Sequence, residues 1–264
     1  MSKLTVTTIQ ADLQWENKAA NLRHLEEKID GIGVPTELVI LPEMFPTAFS
    51  MRPASLAEPM DGPTIRWMQS VAARKKIILT GSVIIEEDGN YFNRLIWMLP
   101  TGQYGCYDKR HRFAYAGEDE HYTAGQKRLV ASVKGWKVLL LVCYDLRFPV
   151  WSRQQPPEPA NLEYDLIIYV ANWPERRSHA WKTLLQARAI ENQSYVVGVN
   201  RVGVDGNKIA HSGDSMIIDP LGETLYHAPR EEDVFTITLE KQHLDNIRQH
   251  FPFWRDADHF YIEP

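Results

Sequence analysis

The chain has 264 residues, of which 44% are hydrophobic and 24% charged, so its composition excludes a disordered protein and favours a folded globular one. Its formal net charge of −5 argues against a nucleic-acid or anionic-membrane partner, because no basic excess exists to neutralise phosphates. Two cysteines are too few for a secreted disulfide scaffold, and no apolar stretch reaches membrane-spanning length.

The first ten residues alternate like a strand and lack the apolar core of a signal peptide, so we expect a cytoplasmic protein with reduced thiols. Further strands are predicted by apolar runs, the whole set being 4–9, 38–41, 77–85, 93–99, 138–142, 166–170, 195–199, 215–218 and 234–239. Helical spacing of apolar residues predicts helices within 22–32, 65–72 and 181–189. Hairpin turns are indicated at Asp88-Gly89, Asp205-Gly206 and Leu221-Gly222. This mixture predicts one α/β domain over residues 1–264, with antiparallel parts.

A weak internal repeat is visible in two of the predicted strands. Residues 37–43 resemble residues 164–170, and a turn-rich hairpin segment follows later in both halves. Two related halves packed sheet to sheet would bury both faces of strands this apolar. Chance similarity between short apolar strands explains the repeat equally well.

Cys143 ends the apolar run 137–142, and the polar segment 144–149 follows at once. Reaction sites in open α/β sheets lie beyond the carboxyl ends of the strands, so this position favours a nucleophile. The alternative is a core cysteine, since free cysteines are often buried.

Three charged residues stand out for their settings. Glu43 follows the strand 38–41 and Pro42, Lys109 follows a strand and a turn, and Glu120 lies in the acidic loop 117–125. Taken alone, Glu43 is equally well a solvated loop carboxylate, Lys109 is more simply a surface lysine, and Glu120 fits a solvated turn.

A cysteine nucleophile needs such a set. The thiolate is the reactive form, and a nearby ammonium lowers the thiol pKa. A carboxylate can take the thiol proton and later protonate a leaving amine, and a lysine with a backbone N–H can hold the oxyanion. Two carboxylates, one lysine and one cysteine therefore suffice for amide hydrolysis, and we expect neither a metal nor a cofactor.

Five segments resemble the nitrilase (carbon–nitrogen hydrolase) superfamily. They are Leu41-Pro42-Glu43-Met44-Phe45, Tyr107-Asp108-Lys109-Arg110-His111, residues 142–149, residues 188–196 and His211-Ser212-Gly213-Asp214-Ser215. The segment Tyr169-Val170-Ala171-Asn172-Trp173-Pro174 is most similar to bacterial ω-amidases, which hydrolyse 2-oxoglutaramate and 2-oxosuccinamate. The resemblance implies a four-layer α-β-β-α sandwich of two related halves, and a homodimer or higher homo-oligomer.

The same resemblance implies roles for individual residues. Cys143 would be the nucleophile and Glu43 the general base and acid. Lys109 and the backbone N–H of Tyr144 would stabilise the oxyanion. Glu120 aligns with the family's second glutamate, which orients the substrate and the lysine. Glu118 is the competing assignment, because the loop length varies there.

The implied activity is a cysteine-dependent amidohydrolase that cleaves the terminal amide of small 2-oxo acids through a thioester. A nitrilase or N-carbamoyl amidase with the same Glu-Lys-Cys set is the alternative enzyme. A binding or scaffold protein that lost turnover is the alternative from another class, and the intact catalytic set argues against it.

A 2-oxo acid carries a carboxylate at the end of the molecule away from the amide, and an arginine is the natural bidentate partner of a carboxylate. Arg177 is the preferred candidate over Arg176, with Trp173 and Phe113 as walls of the pocket, although exposed arginines are common. Arg147 is expected to form a structural ion pair with Asp145.

The aromatic tail, residues 251–264, is expected to pack on its own core or on a partner subunit.

Overall fold

The computed structural model describes residues 2–154 and 162–262. In these residues the strands are β1 (Lys3–Gln10), β2 (Leu38–Ile40), β3 (Ile78–Glu87), β4 (Asn90–Met98), β5 (Tyr104–Asp108), β6 (Leu129–Val133), β7 (Trp136–Val142), β8 (Leu166–Val170), β9 (Tyr195–Val199), β10 (Val202–Val204), β11 (Ala210–Ile218), β12 (Thr224–Pro229) and β13 (Asp233–Glu240). The α-helices are α1 (Lys18–Asp30), α2 (Pro53–Leu56), α3 (Pro63–Lys75), α4 (Glu118–His121), α5 (Pro149–Ser152), α6 (Ser178–Asn192) and α7 (Lys241–His250).

The strands form two sheets of similar construction. The first has the order β13-β1-β2-β3-β4-β5, and the second has the order β10-β11-β9-β8-β7-β6 with β12 added on β11. The strands β1, β2 and β3 are parallel, as are β7, β8 and β9, and the flanking pairs are antiparallel. This repetition confirms the prediction of two related halves.

The two sheets pack face to face, with helices on their outer faces. Leu38 and Ile40 of β2 share an apolar core with Val138 and Leu140 of β7. The alternate residue Val39 faces the other way, into a second core that contains residues of α1 and α3. On the far side, α6 closes on β9, where a Cβ on Gly198 would lie 2.5 Å from a Leu185 methyl group. The predicted four-layer α-β-β-α sandwich is therefore confirmed.

The predicted turns all lie between paired strands. Asp88-Gly89 connects β3 and β4 with positive φ at both residues, as the tight hairpin turn requires. The other two predicted turns join β10 to β11 and β11 to β12. Four strands, β5, β6, β10 and β12, were not predicted, because their half-buried sequences lack a long apolar run.

The tail packs partly on its own chain. The Phe251 carbonyl accepts a hydrogen bond from Gln193 at 2.6 Å, and Ile262 packs against the main core. Phe253 and Tyr261 are exposed, and packing against a second copy stays a prediction. No helix within residues 2–154 and 162–262 is long and apolar enough to cross a membrane.

Candidate active site

Cys143 lies at a sharp turn where β7 ends. It begins the 3₁₀ turn Cys143–Arg147, and its φ of +45° is in the left-handed region, which costs free energy for a residue with a side chain. The buried carboxylate of Asp145 holds this turn by accepting the Val142 N–H at 3.0 Å. The side chain of Cys143 is 9% exposed, so the thiol is reached only through the pocket described below.

The ends of three strands bring the predicted residues together. Glu43 follows β2 after a short loop, Lys109 directly follows β5, and Cys143 directly follows β7. The Lys109 ammonium lies 2.9 Å from Glu43 Oε1, and both side chains are almost fully buried, with 1% and 0% exposed. The two sheets thus supply one buried cluster, because the carboxyl ends of β2, β5 and β7 lie on the same side of the molecule.

The second glutamate of this cluster is Glu118. Its carboxylate oxygens lie 2.8 and 3.0 Å from the Lys109 ammonium, and it is fully buried. Glu120 does not reach the cluster: it is exposed, beside Arg52 and His121 on the surface. Residues 118 and 120 lie in the single turn of α4, and positions two apart on a helix point to different sides.

A sequence signal for Glu118 does exist. Tyr122, four residues later, is buried and its hydroxyl donates to the Ser50 carbonyl at 2.6 Å. Residues at i and i+4 share a helix face, so a helical interpretation of 118–122 would have placed Glu118 on the inner side.

Two asparagines that the sequence analysis did not single out hold Glu43. The Asn93 side-chain amide donates to Glu43 Oε1 at 2.8 Å, and the Asn172 backbone N–H donates to Oε2 at 2.8 Å. Together with Lys109, these donors occupy both oxygens of the carboxylate and fix its orientation. Asn93 lies inside β4, where the buried part of that strand begins, and Asn172 follows the end of β8.

Burial and the charges of the cluster together set the pKa of the Cys143 thiol. Burial raises the pKa of Cys143 well above its ordinary value, the Glu43 carboxylate raises it further by charge and hydrogen bond, and Lys109 lowers it less. Lys109 lowers the thiol pKa as expected, but burial and the Glu43 carboxylate outweigh its effect. Two buried carboxylates already share one ammonium, and a thiolate would add a second net negative charge.

Lys109 itself stays protonated. Burial alone would lower its pKa, but the charges of Glu118 and Glu43 outweigh burial and raise it. Burial also raises the pKa of Glu118, with Glu43 acting in the same direction and Lys109 opposing. Glu118 accepts hydrogen bonds from Lys109 on both oxygens and from the Phe113 N–H, which fits a carboxylate.

A cavity of about 270 Å³ opens onto this cluster. Tyr144 lines it, with its ring 4.9 Å from that of Phe113, and Trp173 forms another part of the wall. A volume of this size fits a small ligand. Within the described residues, no group of three or more His, Cys, Asp or Glu side chains is placed to hold a metal ion.

Arginines form one wall of the cavity. The Arg177 guanidinium lies 5.1 Å from the centre of the Phe113 ring, and the Arg147 guanidinium 4.8 Å from the Trp173 ring. Arg176 also lines the cavity but is exposed. Among residues 2–154 and 162–262, neither Arg147 nor Arg177 has a carboxylate partner.

The expected ion pair between Arg147 and Asp145 is wrong. Asp145 instead accepts hydrogen bonds from the Tyr107 hydroxyl at 2.7 Å and from the His111 ring at 2.8 Å, as well as from Val142. Arg147 is turned toward the cavity.

Burial lowers the pKa of Arg177, and the like charges of Arg176 and Arg147 lower it further, so an anion in the cavity would relieve the repulsion among these arginines.

The chain matches the family described as carbon-nitrogen hydrolase over residues 5–249. It is 43% identical to the Omega-amidase YafV of Escherichia coli (strain K12), over 98% of this chain and 99% of that one. It is 29% identical to the 2-oxoglutaramate amidase of Bacillus subtilis (strain 168), over 96% and 97%. It is 42% identical to a CN-hydrolase superfamily protein from Xanthomonas campestris, crystallised with an arsenic adduct in the active site; all of both chains is covered, with a TM-score of 0.97.

The substitution Glu43→Gln tests the charge balance. With the other thiol removed by Cys106→Ser, we expect the pH at which iodoacetamide alkylation of Cys143 rises to fall in Glu43→Gln. The expected fall is one pH unit or more, because unit charges about 4 Å apart interact by about 4 kcal/mol at an effective dielectric constant of 20. Alkylation rates measured against pH in the two proteins provide the test. An unchanged or higher midpoint in Glu43→Gln would contradict the account.

Proposed function

The chain belongs to the carbon–nitrogen hydrolase family and is a hydrolase that acts on amides, and we propose that it cleaves the terminal amide of small 2-oxo acids. The proposed substrates are 2-oxoglutaramate and 2-oxosuccinamate, and the products are the dicarboxylate and ammonia. The observation that carries this proposal is that Arg147 and Arg177 line the same small cavity as Cys143 and have no carboxylate partner among residues 2–154 and 162–262. The similarity to an Omega-amidase and a 2-oxoglutaramate amidase supports the same substrate class.

The reaction starts from a neutral thiol. Glu43 takes the proton of the Cys143 thiol as the sulfur attacks the amide carbon. This transfer moves a negative charge from Glu43 to sulfur without adding one, so the buried cluster keeps its net charge. A free thiolate would be costly here, and the neighbouring carboxylate is the group that makes the attack feasible.

The tetrahedral intermediate carries its negative charge on the former carbonyl oxygen. Lys109 and the backbone N–H of Tyr144 hold this oxyanion, and Glu118 keeps the ammonium in place by its two contacts. When the carbon–nitrogen bond breaks, the proton on Glu43 passes to the nitrogen, and ammonia leaves. A thioester on Cys143 remains.

The second half-reaction reverses the proton movements. Water enters where ammonia left, Glu43 takes its proton, and the oxygen attacks the thioester carbon. Breaking the carbon–sulfur bond returns the proton from Glu43 to the Cys143 sulfur. The product leaves with a new carboxylic acid group, which loses its proton to solvent to give the dicarboxylate, and the site is again in its resting charge state.

Arg147 and Arg177 bind the carboxylate at the far end of the substrate. Each guanidinium lies over an aromatic ring, at cation–π distance, and neither forms an ion pair with a carboxylate in the described residues. The walls formed by Phe113 and Trp173 limit the substrate to a short chain.

The first test is ammonia release from 2-oxoglutaramate by the purified protein. We expect release that is abolished by Cys143→Ala, because no thioester can form. Cys106→Ser is the matched control and should keep full activity. No release from folded protein, or full release by Cys143→Ala, would reject the proposal, and a panel of nitriles, carbamoyl amines and other amides would then identify the substrate.

The two candidate glutamates can be separated directly. Glu118→Gln weakens the hold on Lys109 and should lower kcat on the order of a hundredfold, the cost of misplacing a catalytic group by about 1 Å. Glu120→Gln changes an exposed side chain and should leave kcat within about twofold. Steady-state ammonia release measures both, and the opposite ranking would return the role to Glu120.

The arginines make a further prediction. Arg147→Gln and Arg177→Gln should each raise the KM for 2-oxoglutaramate about tenfold or more, because hydrogen bonds to charged groups contribute about 1.5–3 kcal/mol. Arg176→Gln is the matched control, since this side chain is exposed, and it should change KM little. Equal effects of all three substitutions would speak against a specific carboxylate site.

A further inference from the structure

Asp214 on β11 lies outside the cavity, is buried, and has an unusual backbone conformation. It is 4% exposed, and its φ of +57°, after +68° at Gly213, lies in the left-handed region. Such a backbone persists when the surroundings determine it from several sides. The carboxylate accepts hydrogen bonds from Ser178 Oγ and Ser212 Oγ, both at 2.6 Å, and from the His227 ring at 2.7 Å.

The Ser178 contact, together with two others, fastens the start of helix α6 to Asp214. Ser178 is the first residue of α6, the Trp181 indole donates to the Asp214 carbonyl at 2.7 Å, and the Lys182 ammonium lies 3.6 Å from the carboxylate. The residue at the helix N-cap, Arg177, makes no side-chain capping bond. The carboxylate of Asp214, a residue of β11, therefore lies at the N-terminus of α6, where the helix dipole favours a negative charge.

The fastened end carries the arginine wall. Arg177 directly precedes Ser178, and its carbonyl accepts the Trp173 indole N–H at 2.8 Å. The Trp173 ring is 5.5 Å from that of Trp181 and lies under the Arg147 guanidinium. A shift at the start of α6 would therefore move both guanidiniums that face the cavity.

We infer that Asp214 is a positioning residue for substrate selection: it fixes the start of α6 so that Arg177 and Arg147 meet the carboxylate of an anionic amide. The inference rests on the proposed function in one respect, the binding of that carboxylate by the two arginines. A second tether, between Glu175 and Arg230, is an ion pair with a highly exposed arginine, and such pairs hold a segment weakly. Asp214 does not touch the reacting atoms, so its effect should appear in substrate binding and not in the chemistry at Cys143.

The chain offers a matched pair of serines for the test. Ser178 and Ser212 donate to the same oxygen of Asp214 at the same distance, but only Ser178 belongs to α6. Ser178→Ala should raise the KM for 2-oxoglutaramate about five- to tenfold, as expected when a charge-assisted hydrogen bond is lost, with kcat nearly unchanged. Ser212→Ala should leave both values close to those of the parent protein. Equal KM effects of the two substitutions, or a fall in kcat with KM unchanged, would overturn the inference.

A second measurement does not need turnover. Iodoacetate and iodoacetamide alkylate the same thiol but differ by a carboxylate, so the ratio of their rates at Cys143 reports how the arginines face it. In a Cys106→Ser background, Ser178→Ala should lower this ratio several-fold and Ser212→Ala should not. A general loosening would change both rates together and leave the ratio unchanged, which would contradict the inference.

The two measurements also separate the inference from the proposed function. Parent protein that releases no ammonia from 2-oxoglutaramate refutes the proposed substrate, whereas the alkylation ratio still decides the role of Asp214. Asp214→Asn should lower the ratio more than Ser178→Ala does, because it removes the charge that all the donors share. If Asp214→Asn does not fold, the pair of serine substitutions carries the test alone.

Discussion

The buried ammonium of Lys109 is the interaction on which the rest of the site depends. It lies between the carboxylates of Glu43 and Glu118, and the three groups together carry one net negative charge. Removing the ammonium would leave two buried carboxylates without compensation, and removing the carboxylates would leave a buried ammonium without compensation. Both are costly in a protein interior. This balance keeps the Cys143 thiol neutral at rest, so the proton must move to Glu43 during the attack itself and return later. The timing of this proton transfer thus follows from the presence of one ammonium beside two carboxylates in the cluster.

The fold supplies this cluster by bringing strand ends of two sheets together. Residues after β2, β5 and β7 provide the carboxylate, the ammonium and the thiol, while Asn93 and Asn172 orient Glu43 from β4 and from the end of β8. Glu43 and Cys143 follow strands that are buried on both faces, so packing fixes their positions, whereas Lys109 follows the half-buried strand β5 and is held by its contacts with Glu43 and Glu118. The substrate end of the cavity is built differently, since its arginines belong to short 3₁₀ turns. Such turns need support from outside, which explains the contacts that hold α6.

Much of this arrangement could be predicted from the sequence, and the exceptions have physical causes. Cys143 and Glu43 each follow an apolar run that is easily recognised as a strand, whereas Lys109 follows the half-buried strand β5, and its role was implied by the family resemblance. The choice between Glu118 and Glu120 depended on the rotation of one helical turn, for which Tyr122, four residues after Glu118, is a weak signal in a segment this short. Arg147 was paired with Asp145 because the two are close in sequence, whereas Asp145 is used by Tyr107 and His111, far away along the chain. The net effect on the thiol pKa, in which burial and Glu43 outweigh the ammonium, could not be foreseen, because spacing reveals neighbours but not burial.

The most direct test of this account is the ionisation of Cys143 in the resting protein. The ultraviolet absorbance of a thiolate, measured against pH in the parent protein and in Cys143→Ala, gives the titration of this thiol by difference. The account predicts no thiolate at neutral pH and a pKa above that of an ordinary cysteine. A thiolate already formed at neutral pH would show that Lys109 outweighs burial and Glu43, and it would contradict the role of Glu43 as the base that activates the nucleophile.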